Sequence, residues 1–239
     1  MKRTTVSDVL ATANAAMVAP DPDVTGALAV LLAGVVDSLP ARAAAVLVEA
    51  DGALELLAAT NHRVADLEAY QSQVDDGPCL DALRTGTEVH AVGADELERR
   101  WRLTGPVIVA AGYRSVQAVP LRWQGKVFGA LNVFRENEAD FAGQLAECRA
   151  LADAVTLVIV SSHLGEERIV GGLHAALEDR ALVEQAKGAL AHTLSVDMSG
   201  AFDALLDLAH GEGLSLGTAA RQVMHRARTG TLGTPSTSS

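Results

Sequence analysis

Aromatic side chains are scarce: 3% of the 239 residues are Phe, Trp or Tyr. That scarcity speaks against a base-stacking platform, which needs successive aromatic rings, and leaves aliphatic and alanine packing to build any core. Cysteine is rarer still. Cys79 and Cys148 are the only two, with no CxxC spacing and no disulfide framework, a usage that fits a reducing cytosol. Long apolar runs are missing as well. The most apolar stretch, Ala154 to Val160, falls far short of the ~20 residues that span a bilayer. The charged start Met1-Lys2-Arg3 is not followed by the apolar run of a signal peptide. These absences predict a soluble, cytoplasmic chain with no membrane partner.

Sequence signals for catalysis are also lacking. There is no Walker-type phosphate loop, no HExxH and no GxSxG. His62 and His90 stand at no recognised metal-ligand spacing. The reading is therefore no enzyme, no catalytic residue and no metal site, with any cofactor unknown. Cys79 follows Gly77-Pro78 at a turn or helix start, where a helix N-terminus lowers a thiol's pKa. The commoner fate of a lone cysteine is that of a small buried hydrophobe, and Cys148 reads as packing.

What the chain does have is aliphatic content and negative charge. With 49% hydrophobic residues in 239, it can bury a sizeable core in one or two domains. A net charge of −11 opposes non-specific attraction to nucleic acid or an anionic membrane. Any polyanion-binding surface must be a local basic face.

Periodicity predicts the elements. The first 20 residues allow a short helix ending at Pro20-Asp21-Pro22. Asp23 caps a helix over Val24 to Leu39, whose Leu28, Leu31, Leu32, Val35 and Val36 follow helical spacing. Ala43 to Glu49 and Ala53 to Ala59 read as strands joined by an Asp51-Gly52 turn. Polar, weakly helical sequence leads to Asp76-Gly77-Pro78. A short helix over Cys79 to Arg84 and a short strand over Glu88 to Val92 follow. Glu96 to Ala111 reads as helix interrupted near Gly105-Pro106.

Ser115 to Arg122 and Lys126 to Phe134 form the clearest hairpin. Pro120 implies an edge or a bulge, and the apolar return strand implies a central position covered on both faces. Glu138 to about Leu164 reads as one long helix. Its Phe141, Leu145, Cys148, Ala152, Val155 and Ile159 recur in a heptad-like seam, wide enough to face a sheet on one side and a second subunit on the other. Gly165 to Gly172 reads as a linker.

The C-terminal stretch is helical: Leu173 to Leu194, Ser199 to His210 and Ser215 to Arg228, with Gly211 and Gly213 stopping the second helix and Ser215 capping the third. No acidic residue occurs from Leu214 onward. The third helix carries Arg221, His225 and Arg228 opposite an apolar face of Leu216, Ala219, Ala220, Val223 and Ala227, with Arg226 beside them. Such cations suit phosphate contact through counterion release. They equally suit an ordinary solvated face at a helix C-terminus. Arg180 and Lys187 of the first helix complete the candidate surface. The stem of Lys187 can also lie on apolar surface with its ammonium outside.

Two stretches carry a family resemblance. Asp76-Gly77-Pro78-Cys79, Arg100-Trp101, Gly112-Tyr113-Arg114-Ser115, Val119-Pro120-Leu121 and Gly129-Ala130-Leu131-Asn132 occur in the order and spacing of a GAF domain of the actinobacterial type. Val183-Glu184-Gln185-Ala186-Lys187-Gly188, followed by Ala201-Phe202, Leu205, Leu216 and Ala219-Ala220, resembles an ANTAR domain. The resemblance implies an α+β fold in which a GAF-like antiparallel sheet, flanked by helices and offering a small-molecule pocket, precedes an all-α three-helix ANTAR bundle. It implies a homodimer whose bundles bind paired stem-loops in nascent RNA and favour an antiterminator over a terminator hairpin. The expected division is an N-terminal extension over 1–22, a GAF-like sensor over 23–164, a linker over 165–173, an ANTAR-like RNA-binding domain over 174–228 and a disordered tail over 229–239.

The sequence departs from the ANTAR pattern at Leu206, where family members often carry arginine, and at Gly211-Glu212-Gly213, where they often carry a basic or Asn-containing turn. Those departures keep open a protein-interaction or signal-relay module with a degenerate RNA surface. An enzymatic alternative, reduction of free methionine sulfoxide as in some GAF-like domains, needs a nucleophilic and usually a resolving thiol, and Cys148 lies on the packing seam.

Overall fold

The computed structural model describes residues 5–18, 23–138, 141–161, 168–230 and 232. Two helices, α1 (Val6–Val18) and α2 (Val24–Ser38), precede the hairpin of β1 (Ala43–Ala50) and β2 (Ala53–Ala59). Then come α3 (His62–Val74), α4 (Pro78–Thr85), β3 (Val89–Val92), α5 (Ala94–Arg100) and α6 (Thr104–Ala110). The long hairpin of β4 (Ser115–Trp123) and β5 (Lys126–Arg135) leads through a 3-10 turn at Ala142–Gln144 to α7 (Leu145–Ser161). The chain continues as α8 (Arg168–Leu194), α9 (Met198–Glu212) and α10 (Leu216–Arg228).

The five strands form one antiparallel sheet in the order β2-β1-β5-β4-β3. The central position of β5 accounts for its nearly continuous apolar run, interrupted at Asn132. Side chains alternate across the pleat, so Ala44, Val46 and Val48 of β1 pack beneath α1, α2 and α7. Ala43, Ala45 and Leu47 meet the layer built from α3 to α6 on the other face. Pro120 sits where β3 has already ended, since β3 pairs only Ser115 to Ala118 of β4. A register shift follows at Leu121/Arg122. Its missing N–H therefore costs the sheet no ladder bond on that side.

Three expectations change. The break in the Glu96–Ala111 helix falls at Trp101 to Leu103, before Gly105-Pro106, because the carboxylate of Asp76 accepts from the backbone N of Leu103 and Thr104, 2.9 Å each, and starts α6 there. Gly105 is needed for proximity: a Cβ on it would lie 2.2 Å from the carbonyl oxygen of Leu97 in α5. The long helix after β5 begins later than Glu138, at Leu145 after the 3-10 turn, with Ala139, Asp140 and 162–164 outside the described residues. Of the expected linker, 165–167 lie outside the described residues, and Arg168 onward, including Gly171-Gly172, is helix.

The heptad-like seam meets the sheet, one of the two sides expected of it. Phe141, Cys148, Leu151, Ala152, Val155, Val158 and Ile159 are all buried in the chain's own core beneath the sheet and α2. Steps of three and four report an apolar helix face without reporting what covers it. The N-terminal helix joins the same core, with Val9 and Ala13 buried.

The three C-terminal helices enclose a separate small core of Val183, Ala186, Leu190, Ala201, Leu205, Ala209, Leu216, Ala219, Ala220 and Val223. Asp197 caps α9 and Ser215 caps α10 through their side chains. Gly213, in the left-handed region at φ 64°, ends α9, whereas Gly211 lies inside it. Most of the tail, Thr231 and 233–239, lies outside the described residues. Among the described residues no helix is long and apolar enough to cross a membrane.

Candidate nucleic-acid interface and sensor cleft

The motif residues of the sensor are consumed in holding its inner layer together. Asp76 caps α6 as above. Gly77, at φ 142°, brings its backbone so close to Gln71 that a Cβ would sit 2.0 Å from the Gln71 side-chain oxygen. That oxygen accepts from the backbone N of Cys79 at 3.1 Å. Pro78 opens α4 where no intrahelical donor is needed. Trp101, fully buried, donates its indole N–H to Asp81 at 3.0 Å, and Arg100 lies over its ring.

Within this layer sits a buried polar cluster. Glu68 accepts from Asn132 Nδ2 at 2.7 Å and from Gln71 Nε2. Burial pushes the Glu68 carboxyl up to about 8, against the two amide donors that pull it down. Cys79, also fully buried, has its thiol pushed well up by burial and by the neighbouring Glu68, with an opposing contribution from Asn132. The helix N-terminus at Cys79 does not outweigh that desolvation, so the thiol is held protonated. Burial likewise pushes Cys148 up to about 11. Burial thus disfavours the thiolate form of both sulfurs. Among the described residues no group of His, Cys, Asp and Glu side chains could hold a metal ion.

The six basic residues singled out from the sequence fall into two sets. Arg221, His225 and Arg228 are exposed along α10, and Arg226 is half-buried beside them. Two of these guanidiniums meet acids: Arg221 Nη1 lies 3.0 Å from Asp179 of α8, and Arg226 Nη2 lies 3.5 Å from Glu212 at the end of α9. Exposed pairs of this kind are worth about 0–1 kcal/mol, little enough for a phosphate to displace the carboxylate. Arg180 and Lys187 are not gathered with them. Lys187 is buried, its ammonium 2.9 and 3.0 Å from the two Glu184 oxygens and 5.4 Å from the centre of the Phe202 ring. Arg180 is half-buried where α8 faces β2 and α3, and desolvation lowers its pKa.

A contact absent from the sequence signals joins the two halves. Asp23 Oδ1 accepts from Gly26 N at 2.9 Å, capping α2, while its Oδ2 accepts from Leu216 N at 2.9 Å, at the start of α10. One carboxylate thus serves two helix N-termini, where negative charge is favoured. Below it runs a cleft of about 640 Å³ between the sensor and the bundle, lined by α2, β2, α8 and α9. A second cleft, about 890 Å³, lies along β2, α3 and α4 and shares Arg180 and Glu184 with the first. The expected small-molecule pocket of the sensor therefore has candidates at the junction of the two modules. Sequence patterning could not find them, because each wall comes from a distant part of the chain.

Comparisons with known proteins agree with this layout. The GAF domain family matches residues 21–160, and the ANTAR domain family matches residues 172–224. The fold resembles the GAF domain of a phosphoenolpyruvate-protein phosphotransferase from Acinetobacter, at 19% identity and a TM-score of 0.52, over 67% of this chain and 94% of that one. It also resembles the equivalent domain from Coxiella burnetii, at 16% identity and a TM-score of 0.47, over 76% and 99%. Free methionine-R-sulfoxide reductase from Neisseria meningitidis is similar at 15% identity and a TM-score of 0.47, over 72% and 89%. At this identity the likeness to the Acinetobacter domain shows a fold alone, and the other two, below a TM-score of 0.5, carry no argument. The comparison with curated proteins found no match.

Proposed function

Because the chain belongs to the GAF domain family and continues into an ANTAR domain, we propose that it is a signal-responsive, RNA-binding regulator of transcription antitermination that works as a homodimer. GAF is a sensor domain and ANTAR an RNA-binding antitermination domain, which together make the parts of a regulator. The finer reading rests on one observation: in a chain of net charge −11, the last helix carries positive charges only, on the face opposite its buried Leu216, Ala219, Ala220 and Val223.

Arg221, His225, Arg226 and Arg228 meet the phosphates of a stem-loop. Arg180 and Lys187, turned toward the sensor, join them only in a state where the bundle has shifted on α2. A signal at the sensor then acts by changing how the bundle is held, and a dimer presents two bundles to two stem-loops. The homodimer reading is supported by the paired target that the ANTAR resemblance implies, and by Leu157 of α7 and Val30 of α2, apolar side chains left 52% and 37% exposed.

The test is affinity of the full chain for a two-stem-loop RNA across a salt series, alongside sedimentation to fix the oligomeric state. Arg221→Ala with Arg228→Ala is expected to weaken binding and to flatten the salt slope by roughly one per phosphate contact removed. Unchanged affinity and slope would remove α10 as the reading surface. If structured RNA fails to bind at all, the Arg221–Asp179 and Arg226–Glu212 pairs favour the signal-relay reading instead.

A further inference from the structure

The cleft between the modules is built for more than contact. Its walls carry four cations, Arg42, Arg63, Arg180 and Lys187, against three carboxylates, Asp37, Glu136 and Glu184. The surplus is positive in a strongly acidic protein. Three of the cations are already engaged: Arg42 with Glu136 at 3.2 Å, Lys187 with Glu184, and Arg63 with the carbonyl of Ala111 at 3.3 Å. Arg180 is different. Among the described residues it has no hydrogen bond and no ion pair, although it is half-buried and near Glu184 and Glu55. A guanidinium stripped of part of its water and given no oxygen in return leaves five N–H donors under-used. The remaining wall is mixed: Thr25, Thr60, Asn61 and Ser199 stand among apolar side chains such as Leu32 and Val36 from the sensor and Val183 and Phe202 from the bundle. The volume, about 640 Å³, suits a small organic molecule, and such sites favour the meeting of domains.

We propose that this junction cleft binds a small organic anion, an apolar body bearing a carboxylate or phosphate group, whose oxygens take the fork of Arg180 while its body lies between α2 and α9. This deepens the signal-responsive reading by giving the sensor a ligand class and a place where both modules are touched at once. A ligand seated there adds contacts to the docked arrangement and none to the undocked one, so it biases that equilibrium. Arg180 stands on α8 beside Asp179, the partner of Arg221. Leu216, the first residue of α10, lines the same cleft, so occupancy bears on the helix carrying the proposed RNA-facing charge.

The experiment uses the full chain with three ten-carbon probes, decanoate, decyl phosphate and decanol, in calorimetric titration without RNA. Saturable binding of at least one anion is expected, with decanol much weaker. Arg180→Ala is expected to lower the affinity of that anion roughly tenfold or more, as loss of charge-assisted bonds does. Arg180→Lys retains part of it. The relative strength of the two anions tells carboxylate from phosphate. Arg99→Ala, on the exposed side of α5, serves as the charge control and is expected to bind as the parent does. Three results overturn the proposal: no saturable binding of either anion, decanol binding as tightly as decanoate, or Arg180→Ala binding unchanged. Since no RNA is present, such a failure leaves the transcript-reading proposal standing. Conversely, unchanged RNA affinity in the α10 variants, which would remove α10 as the reading surface, leaves this one standing.

Discussion

The sensor and the bundle solve the same burial problem with different materials. The sensor covers both faces of a sheet with large side chains, Trp101, Tyr113 and Phe134 buried on one face and Phe128 and Phe141 on the other. The bundle has a core of small residues, with Ala186, Ala201, Ala219 and Ala220 at no measurable exposure. Small side chains allow close helix approach but contribute little apolar area each. The bundle is therefore the half that leans on its neighbour, through α2 and the shared carboxylate of Asp23. A sensor with two buried layers of its own and a bundle held partly from outside is the arrangement the proposed signalling needs.

This contrast can be broken by mutation. The largest effect is expected from Trp101→Ala, which opens a large cavity in the sensor's inner layer and removes the indole donor to Asp81. A loss of about 3–5 kcal/mol is expected in urea unfolding. A change within experimental error would mean that the inner layer is not the sensor's stabilising core.

Next is a pH slope. Folded Glu68 is held at about 8 against an ordinary 4.5, so the native state binds a proton that the unfolded chain has released. Its contribution is intact below about 4.5 and is lost as the pH rises through about 8. Stability should therefore fall across that window in the parent and fall less in Glu68→Gln. Identical pH profiles for the two proteins would exclude this assignment.

In the bundle, Ala220→Leu overfills a fully enclosed site and should cost about 1–3 kcal/mol. Because both tryptophans, Trp101 and Trp123, lie in the sensor, fluorescence follows that half alone, while helical circular dichroism follows both. The variant should shift the second signal and leave the first nearly in place.

The smallest effect is expected from Asp23→Ala, about 1 kcal/mol as for other lost caps. Its signature is a widened gap between the fluorescence and dichroism transitions. If the gap stays as in the parent, the carboxylate is only a cap on α2 and does not couple the halves.

Local patterning determined most of the elements. The two hairpins, the helix over Val24 to Ser38 with its Asp23 cap, the Ser215 cap and the three C-terminal helices follow from periodicity, turn residues and capping side chains within a few positions of one another. The basic character of α10 was legible for the same reason. Only the tertiary structure decided what each apolar or charged face meets. The seam of α7 is spent inside the sensor, Arg180 and Lys187 of α8 turn toward the cleft, and Asp23 reaches a backbone N–H 193 residues away. A repeat of three and four encodes that a face must be covered. The identity of the cover is set by long-range packing, to which neighbouring residues carry no clue.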